Sequence, residues 1–163
     1  MDPLSQEALT SFRTTVESLL PEIPEETPEA LRPAVAIQPT RISPSGLGGF
    51  VAMNEDPEGE ILGRRITAGG VVTVRAETVA ELHAAVAEVS EALLGVDRRQ
   101  RTEQGILDVS LTELGPPRPP QGEGESRTPA EQDVRFRIEY EFLKPPAEAG
   151  DVIREIPLDV DLG

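Results

Sequence analysis

Cysteine is absent from the 163-residue sequence, which excludes disulfides, thiolate metal sites and cysteine catalysis. Histidine occurs once, as His83, one position away from the apolar stripe of a predicted helix. A catalytic or metal-binding histidine needs partner side chains, and the chain has no other His or Cys to provide them. We therefore interpret His83 as an ordinary helix residue and expect no catalytic residues, no cofactor and no metal.

Long apolar runs are also missing from the sequence. No stretch approaches the length of a membrane span, and the N-terminal residues have neither the basic nor the apolar region of a signal peptide. We therefore expect a soluble protein that is made in the cytoplasm and has no membrane partner.

Positive charge is scarce, with 15 Lys and Arg residues against 30 Asp and Glu residues and a net charge of −15. Such a field repels phosphate backbones, so we expect no specific nucleic-acid partner. A ferredoxin-like RNA-binding domain would have similar secondary structure, but the negative charge and the few aromatic residues disfavour it.

The clearest positive signal is the segment "EQDVRFRIEYEFLKPP", whose middle alternates between apolar and charged residues. This period of two predicts a strand with one apolar and one charged face. The apolar face is Val134, Phe136, Ile138, Tyr140 and Phe142, and the charged face is Asp133, Arg135, Arg137, Glu139 and Glu141.

Two amphipathic helices are predicted. The first begins at Asp2-Pro3, an N-cap followed by proline at the first helical position, and ends at about Leu20. The second has a capping box, with Thr78 at the N-cap and Glu81 three residues later, and it ends at Gly95.

Further strands are predicted at 34–40, 64–75, 105–114 and 153–162. In the second of these, Gly69-Gly70 marks either a bulge or a close neighbour. In the third, Leu107, Val109 and Leu111 are expected on one face. Pro39 belongs at a sheet edge or a strand end because it cannot donate a ladder hydrogen bond.

These elements predict an α+β fold in which helices cover one mainly antiparallel sheet, with extended arms. The expected organisation is an N-terminal helix at 1–20, a Pro-rich linker at 21–33, a core domain at 34–144 with a flexible loop at 115–131, and a C-terminal arm at 145–163. The residues expected to be buried together are Val72, Val74, Leu82, Val86, Val89, Val109, Phe136, Ile138 and Tyr140.

Two short motifs imitate binding loops. "GLGG" at Gly46–Gly49 is followed by neither GK[ST] nor a helix, so we interpret it as a bend or hinge. "NEDPEGEILGRR" begins like a calcium loop, but Arg65 stands where a bidentate glutamate is needed and Pro57 lies inside. We interpret it as a solvated turn; an enzyme with an acidic metal site around Asn54–Glu60 remains the alternative.

The strand "RITAGGVVTVRAET", the helix "VAELHAAVAEVSEALLG" and the strands "GILDVSLTELG" and "DVRFRIEYEF" follow one another in this order. Over roughly residues 64–142, together with the N-terminal helix, this pattern of elements resembles the tail-terminator or tail-completion proteins of tailed phages. It equally resembles the related cap and terminator subunits of contractile injection systems. The Pro-rich segment 21–33 and the residues after Lys144 depart from the pattern.

The resemblance implies a tail-terminator-like structural subunit that is not an enzyme. Copies of such a subunit form a ring, usually a hexamer, that terminates or caps the tail tube or sheath and joins it to the next component. The implied partners are the chain itself, the tail tube, and sheath or other tail proteins, within a virion or a phage-tail-like particle. The alternative is a monomeric or dimeric protein-binding adaptor unrelated to tails, which its oligomeric state would distinguish.

Three groups of residues are candidates for a partner interface. The cluster Arg98, Arg99 and Arg101 would dock an acidic surface, or it is a solvated loop. The charged strand face with Arg135, Arg137, Glu139 and Glu141 is either a ring contact or solvent-exposed. The third group is the C-terminal set Ile156, Leu158, Val160 and Leu162.

Pro157 excludes that C-terminal segment from a central strand position. We expect it to pair as an edge strand with a neighbouring chain by strand addition, or with the edge of its own sheet.

Overall fold

A computed structural model describes residues 1–47, 49–55, 58–95 and 97–146. Within these residues the chain forms three α-helices and one antiparallel sheet. The helices are α1 (Pro3–Leu19), α2 (Val79–Leu94) and α3 (Arg98–Glu103). The strands are β1 (Ala34–Pro44), β2 (Phe50–Glu55), β3 (Glu58–Ala76), β4 (Ile106–Leu114) and β5 (Ala130–Lys144).

The strands form a single sheet in the order β1-β3-β5-β4, and β2 pairs with the beginning of β3. Every pairing is antiparallel. At Leu62, β5 occupies one edge of β3 and β2 occupies the other, so β1 and β2 follow one another along the same edge. The expected α+β fold with one mainly antiparallel, helix-covered sheet is confirmed.

Both long helices pack against one face of this sheet. Alternate residues of β3 and β5 point into the core, as the period of two requires. All the residues predicted to be buried together belong to this core. Helix α1 lies in the same core, where the ring of Phe12 packs 5.5 Å from that of Tyr140. The Ser11 hydroxyl is 2.6 Å from the Tyr140 hydroxyl, which connects α1 to the centre of the sheet.

The predicted helix caps are present. The Asp2 carboxylate accepts hydrogen bonds from the backbone and the hydroxyl of Ser5, and these bonds lower the pKa of Asp2. Thr78 accepts from the Glu81 backbone N–H at 3.2 Å. Each cap satisfies a backbone donor that the first helical turn leaves without a partner.

The paired glycines in β3 mark a close neighbour and not a bulge. A Cβ atom on Gly70 would lie 2.2 Å from Cζ of Phe136, whereas a Cβ atom on Gly69 would meet nothing within 4 Å. Pairing of β3 with β5 continues without a shift across both positions. Gly70 is therefore required because the Phe136 ring lies directly on its backbone.

The segment between β1 and β3 differs from its prediction. The bend predicted there is present, with Gly46 and Gly49 at positive φ, but β1 extends to Pro44 and residues Phe50–Glu55 form β2, a strand that was not predicted. Strand β3 begins at Glu58, earlier than expected, and its backbone provides the edge on which β2 forms. Because β2 is mostly exposed on both sides, its sequence has no alternating pattern to reveal it.

Strand β4 also differs, because Leu107 is exposed and does not share a face with Val109. The register with β5 shifts between Ile106 and Asp108, so Ile106 is buried in place of Leu107, while Val109 is buried as predicted. A residue inserted into a strand reverses the side on which the following residues lie. Pro39, by contrast, lies in edge strand β1 as expected.

The segment predicted as a flexible loop at 115–131 extends the β4–β5 hairpin. Isolated bridges join Arg118 to Glu131 and Gln121 to Thr128, and the loop contains a short 3-10 turn at Gly124–Ser126. Its last residues belong to β5.

Candidate interaction surface

The hairpin of β2 and the beginning of β3 projects beyond the rest of the sheet. Strand β5 ends at Lys144, opposite Leu62, and β1 ends at Pro44, opposite Arg64. Within the described residues, positions 58–61 of β3 therefore pair with β2 alone. Two strands leave most of their side chains outside any core.

Six large apolar side chains are exposed at this end of the sheet. Leu47 is 85% exposed and Met53 is 59% exposed. Phe50 pairs with Leu62 across the hairpin. We define the hairpin patch as Leu47, Phe50, Val51, Met53, Leu62 and Leu143.

Glycines shape the bend that presents this patch. Gly46 and Gly49 have φ values of +60° and +100°, in the left-handed region that favours glycine. A Cβ atom on Gly63 would lie 2.9 Å from Val51 and 3.0 Å from Leu143, so these two side chains close over the bare backbone. The patch therefore continues from the helix-covered side of the sheet to its open side.

Acidic residues lie at the tip of the hairpin, around Met53. Glu55 lies directly opposite Glu58, and Glu60 lies opposite Met53. None of these three carboxylates forms an ion pair with a described residue. Like charges directly across a strand pair are unfavourable, so a cationic partner would relieve them.

The metal-site alternative at this segment acquires no support. Among the described residues, no group of three or more His, Asp or Glu side chains is placed to hold a metal ion. Asp56 and Pro57 of the calcium-like motif lie outside the described residues.

The predicted arginine cluster lies on α3 and not in a loop. Arg99 pairs with Glu103 at 3.3 Å, and Arg101 donates to the Leu94 carbonyl oxygen. Leu94, at the end of α2, and Leu107, at the beginning of β4, are 45% and 44% exposed. We define the α3 patch as Arg98, Arg99 and Arg101 together with Leu94 and Leu107.

The charged residues of β5 have partners within the chain. Arg137 pairs with Glu139 at 3.2 Å. Glu141 pairs with Arg65 at 3.4 Å, and Arg135 pairs with Glu113 at 3.9 Å. These residues lie on the sheet face opposite the helices. Their charges are therefore neutralised without a neighbouring molecule, which removes the strongest reason to regard this face as the main contact.

Asp133 belongs to the same charged face. Burial alone would raise its pKa, but hydrogen bonds from Thr73 and Arg118 outweigh that effect and hold the pKa of Asp133 below its ordinary value. Thr73 donates at 2.9 Å and Arg118 at 3.4 Å. Asp133 is therefore charged and partnered at neutral pH.

The C-terminal candidates Ile156, Leu158, Val160 and Leu162 lie outside the described residues. The last described residue, Pro146, contacts the hairpin, because a Cβ atom on Gly59 would lie 2.6 Å from Cβ of Pro146. The chain therefore leaves the sheet next to the hairpin patch.

The hairpin patch was not predicted from the sequence. One signal for it exists: Leu47, Phe50, Val51 and Met53 concentrate large apolar residues in a stretch with no helical or strand period. Because these residues do not fall on one side of a helix or strand, they cannot all be buried together in the core of the chain.

The sequence matches no protein-family model, and no curated protein matches it either. None of the described helices has the length and apolar character needed to cross a membrane.

Proposed function

We propose that the protein is a structural subunit whose copies assemble into a ring that terminates or caps a tail tube or sheath. The ring belongs to a phage tail or a contractile injection particle and joins the tube to the next component. The observation that supports assembly most directly is the hairpin patch, an apolar surface that is exposed in the part of the chain that the structure describes.

Exposure of apolar surface to water is unfavourable in free energy, and association with a second molecule removes that exposure. Burial of apolar area contributes about 25 cal/mol per Å², and contiguous exposed apolar patches are typical of interaction sites. The patch lies on a projecting hairpin and not across the helices, so a neighbour can reach it without rearrangement of the core. It extends to both sides of the sheet, which suits contact with a molecule that lies beside the sheet.

The fold is the kind of subunit that the resemblance implies. It has one antiparallel sheet with helices on one face, and no described helix packs on the other face. Its partners in this proposal are itself, as a hexamer, and tail tube and sheath or other tail proteins. The role requires neither a cofactor nor a catalytic centre.

Sedimentation of the purified chain over a range of concentrations tests the assembly step. A closed ring has a fixed number of copies, so we expect one oligomer, with the mass of a hexamer, that does not grow as concentration rises. A species that remains monomeric or dimeric at every concentration contradicts the ring and favours the adaptor. Open-ended growth contradicts closure.

Electron microscopy tests the location. Gold-labelled antibody against the chain should mark one end of tail-like particles purified from cells that carry the gene. Labelling along the whole tube, or none on the particles, would contradict a terminator or cap.

A further inference from the structure

We infer that the hairpin patch of one copy docks on the α3 patch of the next copy, and that this contact closes the ring. The inference rests on the proposed function, since it names the surfaces by which the copies associate. The occupant of the hairpin patch is therefore a second copy of this chain.

The two patches have complementary charge. The Met53 end of the hairpin patch is bordered by Glu55, Glu58 and Glu60, which have no ion-pair partner among the described residues. On α3, Arg99 pairs with Glu103 and Arg101 donates to the Leu94 carbonyl oxygen, whereas the Arg98 guanidinium has no ion-pair partner among the described residues. In a chain with a net charge of −15, such a concentration of arginines is the exception. Complementary charge of this kind guides association and fixes which surfaces meet.

The patches also match in their apolar character. Met53 lies opposite Glu60 on the hairpin, the Leu94 carbonyl accepts from Arg101, and Leu107 follows α3 at the beginning of β4. All three side chains are exposed in the single copy. An apolar centre with a charged border is the usual organisation of a protein interface.

The positions of the patches in the fold fit a ring. Both lie at the same end of the sheet, because the beginning of β3 and the beginning of β4 pair with the end of β5. They lie at opposite edges, since β2 and β4 are the outermost strands there. Three strand spacings, about 14 Å, separate them laterally, so they cannot meet within one copy. Copies that stand side by side would place one copy's hairpin against its neighbour's α3.

Such a contact joins two different surfaces and repeats from copy to copy, which is the arrangement that produces closed rings. Direct backbone pairing between the sheet edges is a poorer alternative. β1 carries Pro39 and Pro44 and a register shift, and β4 has two register shifts. Prolines and bulges prevent edge strands from pairing with other chains. Contact through side chains at the end of the sheet avoids both obstacles.

Introduced cysteines test the contact, because the natural chain has none. Met53→Cys is combined with Leu107→Cys in one variant and with Leu94→Cys in another. A disulfide needs Cα atoms within about 7 Å, so the pair Met53 and Leu107, on opposite edges of the sheet, cannot close within one copy. After mild oxidation we expect a ladder of disulfide-linked species on a non-reducing gel. The control is Met53→Cys with Leu114→Cys, which places the second thiol at the opposite end of β4 and should give no ladder.

Charge reversal tests the same contact independently. Glu58→Arg alone, and Arg98→Glu alone, should each weaken association about tenfold, because like charges then face one another. The variant with both substitutions again has opposite charges at the two positions, and it should recover most of the lost affinity between copies. Glu123→Arg, a reversal at the other end of the molecule, should leave association unchanged. Circular dichroism checks that each variant is folded.

The results separate the two proposals. A ring by sedimentation with neither a ladder nor a charge rescue overturns the inference and leaves the proposed function intact. A chain that remains monomeric overturns both. A ladder specific to the hairpin–α3 pairs, with rescue in the double reversal, supports both.

Discussion

Strand β3 has two parts that alternate in the same way but differ in burial: the part that follows Arg64 is covered by helices, and the part that precedes it is more exposed. Between Ile66 and Ala76, alternate side chains lie under α1 and α2 and are buried. Near its beginning, Leu62 is 37% exposed although it occupies the same side of the strand. The helices and not the strand pattern therefore determine where apolar side chains are buried.

The boundary between these parts is a single residue. The Arg64 guanidinium contacts the Ser5 hydroxyl at 3.3 Å and the Asp2 carboxylate at 3.4 Å, at the N-terminus of α1. The residues of β3 that precede Arg64 are not covered by α1, and they form the hairpin with β2. We conclude that the covered part provides stability and that the hairpin part is available for contact.

The largest expected effect lies in the covered part. Phe136→Ala should destabilise the fold by about 3–5 kcal/mol, because Phe136 is buried against β3 and its removal leaves a cavity. Urea unfolding measures the change. A loss below about 1 kcal/mol would show that the aromatic ring of Phe136 is not enclosed. The covered part of β3 would then differ little from the hairpin part in its contribution to stability.

A second prediction compares the two faces of β3 at neighbouring residues. Gly70→Ala should cost about 1–3 kcal/mol, because its Cβ atom would overlap the Phe136 ring, which the core holds in place. Gly69→Ala is the matched control and should change stability by no more than about 0.5 kcal/mol, since it points into open space. Equal losses of stability at both positions would contradict the placement of the Phe136 side chain against Gly70.

The attachment of α1 to the sheet should have a smaller effect. Ser11→Ala removes the hydrogen bond to the Tyr140 hydroxyl and should cost about 1 kcal/mol. Ser18→Ala is the control at an exposed position of the same helix: it makes the same change in helix propensity and removes only a local, exposed hydrogen bond to the Thr15 carbonyl oxygen. If thermal unfolding shows the same change for both variants, the Tyr140 contact does not stabilise the helix.

The smallest effect on stability is expected in the hairpin part. Met53→Ser should alter the free energy of unfolding of the monomer by no more than about 0.5 kcal/mol, because Met53 is exposed. The same variant should lose the oligomer in sedimentation. Unfolding must be measured at concentrations where the chain is monomeric, since association adds apparent stability. A loss above about 1 kcal/mol would assign the hairpin to the core of a single copy.

The candidate site was only partly predictable. The arginines of α3 are adjacent in the sequence, so their cluster is visible without a structure. The hairpin patch combines residues of the bend, of both hairpin strands and of Leu143, which becomes a neighbour only because β5 pairs with β3. The charges of β5 suggested an intermolecular contact, but Arg65 and Glu113, from separate strands, neutralise Glu141 and Arg135.

The sequence by itself determined both long helices, most of β3, β5 and the identity of the core. Periodic burial requires periodic apolar residues, and caps such as Asp2 and Thr78 record where a helix begins. Tertiary structure alone decided that β2 exists, that Leu107 is exposed and that apolar side chains remain in water on the hairpin. These features depend on which backbone edges and helix surfaces lie next to one another. That is a property of distant segments, and the sequence shows at most the aperiodic apolar stretch at 47–53 and not the neighbours that leave it exposed.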